Sequence, residues 1–583
     1  MCGFVCVVTR APLQATLDEP YFDRGILRHR GPDSSNEIVL DHAYIRHWRL
    51  SIVDLSAGSD QPYGDQDSWL LYNGEIYNHQ TLAASLSIDV RGDTAFLYDV
   101  CKRGVEREQL KKVRGFYSYL YIAGQGSVLT GARDPFGKKP LYYYVDDARG
   151  IAAFASEEKA IVDCLKTSEI DFGSICQYLL YKSVFHGHTY FNRIRQLAPG
   201  ARFSFDARTW SFSMEYDWTT YYQMAAAEVF SVKEADDTRV TAHGLQRSVS
   251  DTLGESIAIR IPDEVSACVA LSGGIDSSLL AHFAAEAPTL EHISRFVTIG
   301  FQESSCDESL RAAAIAEYLS LADKHSIVQF RDDRMLEYIK VCIANASAPL
   351  EHPHYLSYYL LCQAAAEFSK VLLTGEGADE LFMGYEHYSQ RGTSFAFREY
   401  LAADDENGFA GSTSGTQPFD FIRNASRIGT LRQLAVSSPM LSREYELKTH
   451  LISLLERNDK MGMANSVEVR APFLDREMLG LCLKLSDTDL VVDGEPKHVL
   501  KELFAERFPG MRIPSRKIGF RVPFDDVFAR AGTGSAMRDY CGLAARALGQ
   551  ECGLRLASVD AISPRLGWSL LNIGVFLDVH GYS

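Results

Sequence analysis

The sequence predicts two large units of different class: an α+β sandwich of antiparallel sheets, followed by an α/β domain on a doubly wound parallel sheet with a helical C-terminal part. Three observations predict it. Short β-rich runs separated by turn residues fill the N-terminal third, strands alternate with helices from Ala242 onward, and past Tyr385 the text is almost wholly helical. A chain of 583 residues with 46% apolar content has material for more than one real core.

In the first unit the runs FVCVV, RLSIVDL, WLLYNGEIYN, GFYSYLYIAG, SVLTGARD and PLYYYV carry the β-branched and aromatic residues that suit a pleated, half-buried surface. Asn73-Gly74, flanked by apolar runs, is a strong hairpin-turn signal. Between about Asp206 and Asp236 the pattern dissolves into aromatic and polar text, read as the join. The expected division is residues 2–210, a linker over 211–241, and a second domain over 242–583. In that domain HGLQRSVSDTLGESIAIRI reads as an amphipathic helix leading into the strand VSACVAL. A glycine turn, the helix SSLLAHFAAEA, the strand RFVTIGF, the helix DESLRAAAIAEYLSLA, the strand HSIVQF, two more helices and KVLLTGEGADE follow. That rhythm argues a parallel sheet. The polar stretch from Ala403 to Gln417 is read as a loop.

Basic residues number 59 against 76 acidic ones, a net charge of −17, with no long basic run. A broad nucleic-acid surface needs clustered lysine and arginine to displace counterions, so that class is excluded. Twelve cysteines are scattered without a C-x-x-C pair for a zinc or redox site, which fits a reducing compartment. No basic residue precedes the apolar start MCGFVCVV, and no later run approaches the roughly eighteen apolar residues of a membrane span. The expectation is a cytoplasmic protein that acts on small molecules, with neither nucleic acid nor membrane as partner.

CVALSGGIDSS sets two glycines and three serines directly after a buried strand, at the start of a helix. Backbone N–H groups, hydroxyls and the helix dipole there suit a polyphosphate. The run lacks the G-K-[ST] ending of a Walker A loop. It matches S-G-G-x-D-S, the PP-loop of enzymes that cleave ATP between the α and β phosphates, at Ser272, Gly273, Gly274, Asp276, Ser277 and Ser278. Downstream, TGEGADE follows another strand, and in a parallel sheet both turns open at the same carboxyl edge. Two acidic turns facing one phosphate cluster need a cation, so Asp276 and Asp379 are the expected Mg²⁺ ligands. Taken alone, Asp379 and Glu380 also suit a helix N-terminus.

Cleavage at the α phosphate makes sense when a carboxylate attacks it, giving an acyl-adenylate that an amine or ammonia captures. The N-terminus supplies a candidate source of ammonia. Removal of Met1 ahead of a small residue leaves Cys2 with a thiol and a free α-amine, nucleophile and local base on one residue.

MCGF is joined by HRGPD (His29 to Asp33), RLSIVD (Arg49 to Asp54), YNGEIYN (Tyr72 to Asn78), GDT (Gly92 to Thr94) and ARDPFGKKPLYY (Ala132 to Tyr143). FASEEKA (Phe154 to Ala160), SGGIDSS, TGEGADELF and MANSVEVRAPFLD (Met463 to Asp475) continue the set. With these motifs the chain resembles the glutamine-dependent asparagine synthetases over nearly its whole length. The resemblance implies a class II glutamine amidotransferase domain of Ntn-type αββα fold, then a PP-loop domain of adenine nucleotide alpha hydrolase type.

It further implies that Cys2 attacks the glutamine amide to form a γ-glutamyl thioester and release ammonia. The Asn73 side chain and Gly74 N–H match the oxyanion hole, where a donor is worth about 3 kcal/mol. Arg49 matches the residue that grips the substrate α-carboxylate, and Leu50, Ile52 and Val53 lie in the segment supplying backbone contacts. Asp93 matches the acid that holds the α-ammonium, and Glu75 is a further ligand candidate. Leu271, Ile299, Thr374 and Gly375 match positions around adenine and ribose. Glu376 matches the base that takes a proton from the attacking ammonia, and Lys497 the lysine that steadies charge on the α phosphate. ATP is the implied cosubstrate and Mg²⁺ the implied cofactor. An internal ammonia tunnel is implied too, and a homodimer is left open.

The chain departs from the family pattern near the expected acceptor. SAPLEHPHYLSYYLL carries His352 and His354 where many relatives have Glu-Pro, an acidic or small residue and Pro-Ser. Met383 stands where glycine is common, Lys501 where arginine is common, and Ala95 where glutamate is frequent. A proline between the histidines and no third ligand nearby favour a pocket wall over a metal site. The expected reaction converts aspartate, ATP and glutamine to asparagine, AMP, pyrophosphate and glutamate. The alternative is the same chemistry on a uronic acid sugar or a natural-product or peptide acid.

Overall fold

Cys2–Thr9 is buried along its whole length, as its text CGFVCVVT dictates, and forms a central strand of the first sheet. The computed structural model describes residues 2–17, 25–167, 169–184, 187–216, 242–301, 307–385, 388, 446–447, 450–512, 522–529, 534–554 and 564–582. The first sheet is antiparallel, in the order Arg195–Gln196, Tyr142–Asp146, Ile151–Ala155, Cys2–Thr9, Ala43–Arg49, Ser34–Val39. A second antiparallel sheet runs Ser211–Tyr216, Ala201–Asp206, Val128–Arg133, Gly115–Ala123, Ser68–Ile76, Tyr63–Gly64. Alternation along Cys2–Thr9 sends Phe4, Cys6 and Val8 into the core shared with Leu71, Leu120 and Ile122 of the second sheet. Val5 and Val7 point the other way, against Ile161 and Tyr178 of the helices Glu158–Leu165 and Phe172–Tyr181. The helix Asp93–Lys102 covers the far face of the second sheet through Phe96 and Leu97. These layers make the αββα sandwich.

Three sequence expectations for this domain change. RLSIVDL is not a strand: pairing stops at Arg49, because its guanidinium collects the carbonyls of Val53, Asp54 and Ser56 and folds the segment back. Asn73-Gly74 is not a hairpin turn either. Both lie inside the strand Ser68–Ile76, opposite Ser118 and Tyr117, where long-range pairing overrides local turn preference. Finally, Ser211–Tyr216 pairs with Ala201–Asp206, so the sheet runs past position 210; residues 217–241 lie outside the described residues.

The second domain holds a five-stranded parallel sheet in the order His325–Gln329, Ile293–Gly300, Ala267–Ala270, Val371–Leu373, Glu468–Arg470. Ile275–Glu286 and Ser309–Tyr318 cover one face, Met335–Ala346 and His354–Ala366 the other. The strand order reverses around Ala267–Ala270, which makes its carboxyl end the crevice where ligands of such sheets bind. The short strand Glu468–Arg470 was hidden in text that otherwise reads as helical. Ala403 to Gln417, read as a loop, lies outside the described residues. The helices Gly534–Cys552 and Pro564–Val579 pack on each other and against Phe172–Tyr181 of the first domain. Among the described residues no helix is long and apolar enough to cross a membrane.

The domains meet through apolar and charged groups. Leu50, Ile52, Phe116 and Phe136 of the first belong to the same buried cluster as Leu279, Phe382 and Phe473 of the second. Beside that cluster the fully buried Arg30 donates through Nε to the Cys2 carbonyl at 3.0 Å, and through Nη1 to Glu157 and to Asp459 of the second domain, each at 2.8 Å. Removing one partner of a buried pair strands the other, at a cost of about 3–5 kcal/mol. Arg30→Met is therefore expected to lower the urea midpoint sharply, and adding Asp459→Asn to recover part of the loss; an unchanged midpoint in Arg30→Met would contradict this.

Candidate active site

At the first domain's end of the interface, Cys2 is 7% exposed, and burial raises its thiol pKa against the opposing pull of Arg49. Its backbone N–H donates to Asn73 Oδ1 at 3.1 Å. That contact fixes the amide and leaves Asn73 Nδ2 buried with no partner among the described residues. An orphaned donor beside a cysteine suits an oxygen that develops negative charge. A Cβ on Gly74 would stand 2.4 Å from the Phe116 carbonyl oxygen, so only glycine lets the two strands close here.

The expected glutamine ligands surround this point. Asp93 accepts from Tyr72 Oη at 2.9 Å and from the Ile76 N–H at 3.0 Å. Glu75 sits 3.2 Å from Arg470, and burial with Asp93 beside it pushes its carboxyl up to about 8. Arg49 is engaged by its own loop, donating to the Ser56 carbonyl and to Asp60, each at 2.8 Å. Leu50 and Ile52 are buried in the shared core and Val53 packs against it. Glu264 of the second domain accepts the N–H groups of Asp54 and Leu55, both at 3.0 Å, so one domain pins the loop of the other.

At the carboxyl edge of the parallel sheet, Ala267–Ala270 runs through Leu271 into the glycine turn and the helix Ile275–Glu286. Gly273 has φ +79, and a Cβ there would meet the Ala312 nitrogen at 2.9 Å. Ser272 and Ser277 lie hydroxyl to hydroxyl at 3.0 Å, while Ser278 is buried with its hydroxyl unpartnered among the described residues. Ile299 is buried on the neighbouring strand, the Thr374 N–H donates to the Arg470 carbonyl at 2.9 Å, and a Cβ on Gly375 would crowd the Asp276 side chain at 3.1 Å. Both acidic turns do open together. Lys497 Nζ lies 2.6 Å from Asp276 and 2.7 Å from Asp379, joining the two expected metal ligands. Two carboxylates converging on one cation-sized point form a hard oxygen donor set that fits Mg²⁺.

Several participants escaped sequence reading. Arg457, on the helix His450–Met463, pairs with Glu376 at 2.5 Å and stacks its guanidinium 4.6 Å from the Tyr358 ring. No motif marks it. Gly384 is a second: its Cβ would fall 2.1 Å from both Asp379 Oδ1 and Lys497 Cε. Met383 before it holds φ +54, a left-handed value that accounts for glycine being common there. Of the other departures, Lys501 pairs with Glu495, away from the two acidic turns. His352 and His354 have ring centroids 6.1 Å apart, with His450 6.4 Å from His352. Among the described residues no group of three or more His, Cys, Asp or Glu could hold a metal ion.

Residues 1–218 match the family model for a glutamine amidotransferase domain, and residues 248–559 match that for asparagine synthase. The chain is 29% identical over 574 residues to asparagine synthetase [glutamine-hydrolyzing] 1 of Bacillus subtilis (strain 168), covering 90% of this chain and 87% of the other. It is 27% identical to a putative asparagine synthetase [glutamine-hydrolyzing] of Mycobacterium bovis, covering 85% and 83%. Amidase chyE of Penicillium rubens is 26% identical, covering 65% of this chain and 56% of that one.

The close approach at Gly384 generates a stability test. Gly384→Ala forces Asp379 and Lys497 apart, and such overpacking costs about 1–3 kcal/mol. Gly542→Ala, where the new Cβ would meet only the end of Arg546 at 3.5 Å inside a helix, is expected to raise stability instead. Equal urea midpoints for the two variants would contradict the steric account.

Proposed function

Because the chain belongs to the asparagine synthase family, we propose that it is a glutamine-hydrolysing, ATP-dependent amidotransferase with two sites, whose acceptor is aspartate and whose product is asparagine. The observation that carries this reading is that buried contacts reference both sites to one helix. Arg30 joins the Cys2 carbonyl to Asp459, and two residues earlier on that helix Arg457 meets Glu376 at the sheet edge.

In this reading Cys2, with its α-amine free after loss of Met1, attacks the glutamine amide carbon, and the amine takes the thiol proton. Asn73 Nδ2 and the Gly74 N–H donate to the oxyanion; Asp93 meets the α-ammonium with Glu75 beside it, and Arg49 the α-carboxylate. The amine passes the thiol proton to the departing nitrogen, and collapse of the adduct leaves a γ-glutamyl thioester and releases ammonia, which passes to the second domain. In the second domain the glycine turn with Ser272, Ser277 and Ser278 cradles the ATP phosphates, and Leu271, Ile299, Thr374 and Gly375 border the nucleoside. Asp276 and Asp379 would hold Mg²⁺, which when bound neutralises phosphate charge. Lys497 then turns to the α phosphate while the acceptor carboxylate displaces pyrophosphate. Glu376 takes the proton from ammonia as it attacks the acyl-adenylate, and Arg457 holds that carboxylate in place until then.

A second acceptor class is favoured by one observation: the imidazoles of His354 and His450 stand beside that of His352, in the segment expected to receive the acceptor. An acid other than aspartate, amidated by the same steps, fits that wall as well.

Cys2→Ala is expected to abolish glutamine-dependent product while leaving synthesis from ammonium salts nearly intact. Glu376→Gln should do the reverse, keeping glutamine hydrolysis and losing product. Loss of both activities in either variant would break the assigned division of labour. ATP–pyrophosphate exchange with candidate acids decides the acceptor, and no exchange with aspartate would overturn the aspartate reading.

A further inference from the structure

Between the helices Met335–Ala346 and His354–Ala366 the chain leaves helical geometry, with Ser347 at φ +51. The Ser347 N–H still donates to the Ile343 carbonyl at 2.8 Å, and beyond it buried backbone groups must find partners outside the helix. Leu350 is fully buried, and three side chains serve its two backbone groups. Tyr178 Oη donates to its carbonyl at 2.6 Å, Trp568 Nε1 donates to the same carbonyl at 3.1 Å, and the Leu350 N–H donates to Asn572 Oδ1 at 3.3 Å. The Asn572 amide is oriented in turn, donating through Nδ2 to the Trp568 carbonyl at 2.7 Å.

The three donors and acceptors come from distant parts of the chain. Tyr178 belongs to the first domain's helix Phe172–Tyr181. Trp568 and Asn572 lie on Pro564–Val579, beyond the end of the asparagine synthase match at residue 559. A further tie runs alongside, from Lys182 just after the first helix to Ser569 on the second. Immediately after Leu350 come Glu351 and His352, both close enough to Arg457 to feel its charge, and then the helix whose Tyr358 stacks on that guanidinium.

We propose that Tyr178, Trp568 and Asn572 are positioning residues for acceptor binding: by clamping the Leu350 backbone they hold Glu351 and His352 in place, with the His352 ring 6.4 Å from His450 on the helix that carries Arg457. The C-terminal helix is thereby part of the synthetase site although it lies outside the family match. This rests on the reading of the segment after Leu350 as the acceptor wall.

The test uses Tyr178→Phe, Trp568→Phe and the double variant in the full-length chain. Tyr178→Phe deletes one donor and keeps its ring, and Trp568→Phe deletes the other while leaving a smaller aromatic ring against Phe524, so in each a neutral hydrogen bond is lost and the acceptor KM is expected to rise about 3- to 10-fold. KM for glutamine and ATP and the rate of glutamine hydrolysis should stay within about twofold, a split that damage to the fold as a whole does not produce. With one donor left the carbonyl is still served; with none it is orphaned. The double variant is therefore expected to raise the acceptor KM by more than the product of the singles. Acceptor KM values equal to the unmodified chain's, or KM values that all rise together, would overturn the clamp. Hydrogen exchange over residues 347–358 supplies an acceptor-independent reading: faster exchange in the double variant is expected, and unchanged exchange overturns the clamp. If the unmodified chain exchanges pyrophosphate with another acid and not with aspartate, the aspartate reading fails alone, and the KM comparison is made on that acid.

Discussion

The arrangement of both sites depends on burying the Arg30 guanidinium between Glu157 of the first domain and Asp459 of the second. Taking an arginine out of water costs several kcal/mol, and only well-placed carboxylates on both sides offset it. Apolar contacts such as those of Leu50 and Ile52 tolerate sliding; a desolvated ion pair does not. The helix His450–Met463 extends the same constraint. One turn of it sends Arg457 to Glu376, Asp459 to Arg30 and Lys460 to Glu158, so the parallel sheet and the antiparallel sandwich are referenced to a single rigid rod.

Sequence reading reached what local chemistry determines. Alternating apolar text identified Cys2–Thr9 and Ser68–Ile76, and the glycine turn after VSACVAL placed Ser272 to Ser278 at the correct edge of the sheet. It failed where distant pairing decides. Asn73-Gly74 has the composition of a turn, yet nine residues of pairing with Gly115–Ala123 hold it in a strand. RLSIVDL alternates like a strand, and its own arginine prevents it from being one. Arg457, Tyr178 and Trp568 carry no local signal, because their partners lie many residues away along the chain.

The pair Asp276 and Asp379 shows how much of a charged site is backbone geometry. Lys497 reaches both only because it begins its helix at φ +58, and Asp379 stays within reach only because Gly384 presents no side chain. Met383 tolerates a left-handed backbone to keep that glycine in place. The electrostatics are obvious from composition; the strained and side-chain-free positions that focus them on one point are not.

Glu264 reaches across the interface to hold the N–H groups of Asp54 and Leu55, in the loop that Arg49 gathers from the other side. Such a contact has a thermodynamic corollary. Binding free energies of two sites joined by a shared element are reciprocal: under the proposed function, whatever preference ligands of the second domain express through Glu264, ligands of the Arg49 loop return in equal measure. A mutation at Glu264 would then register at both ends of the molecule, with neither substrate touched.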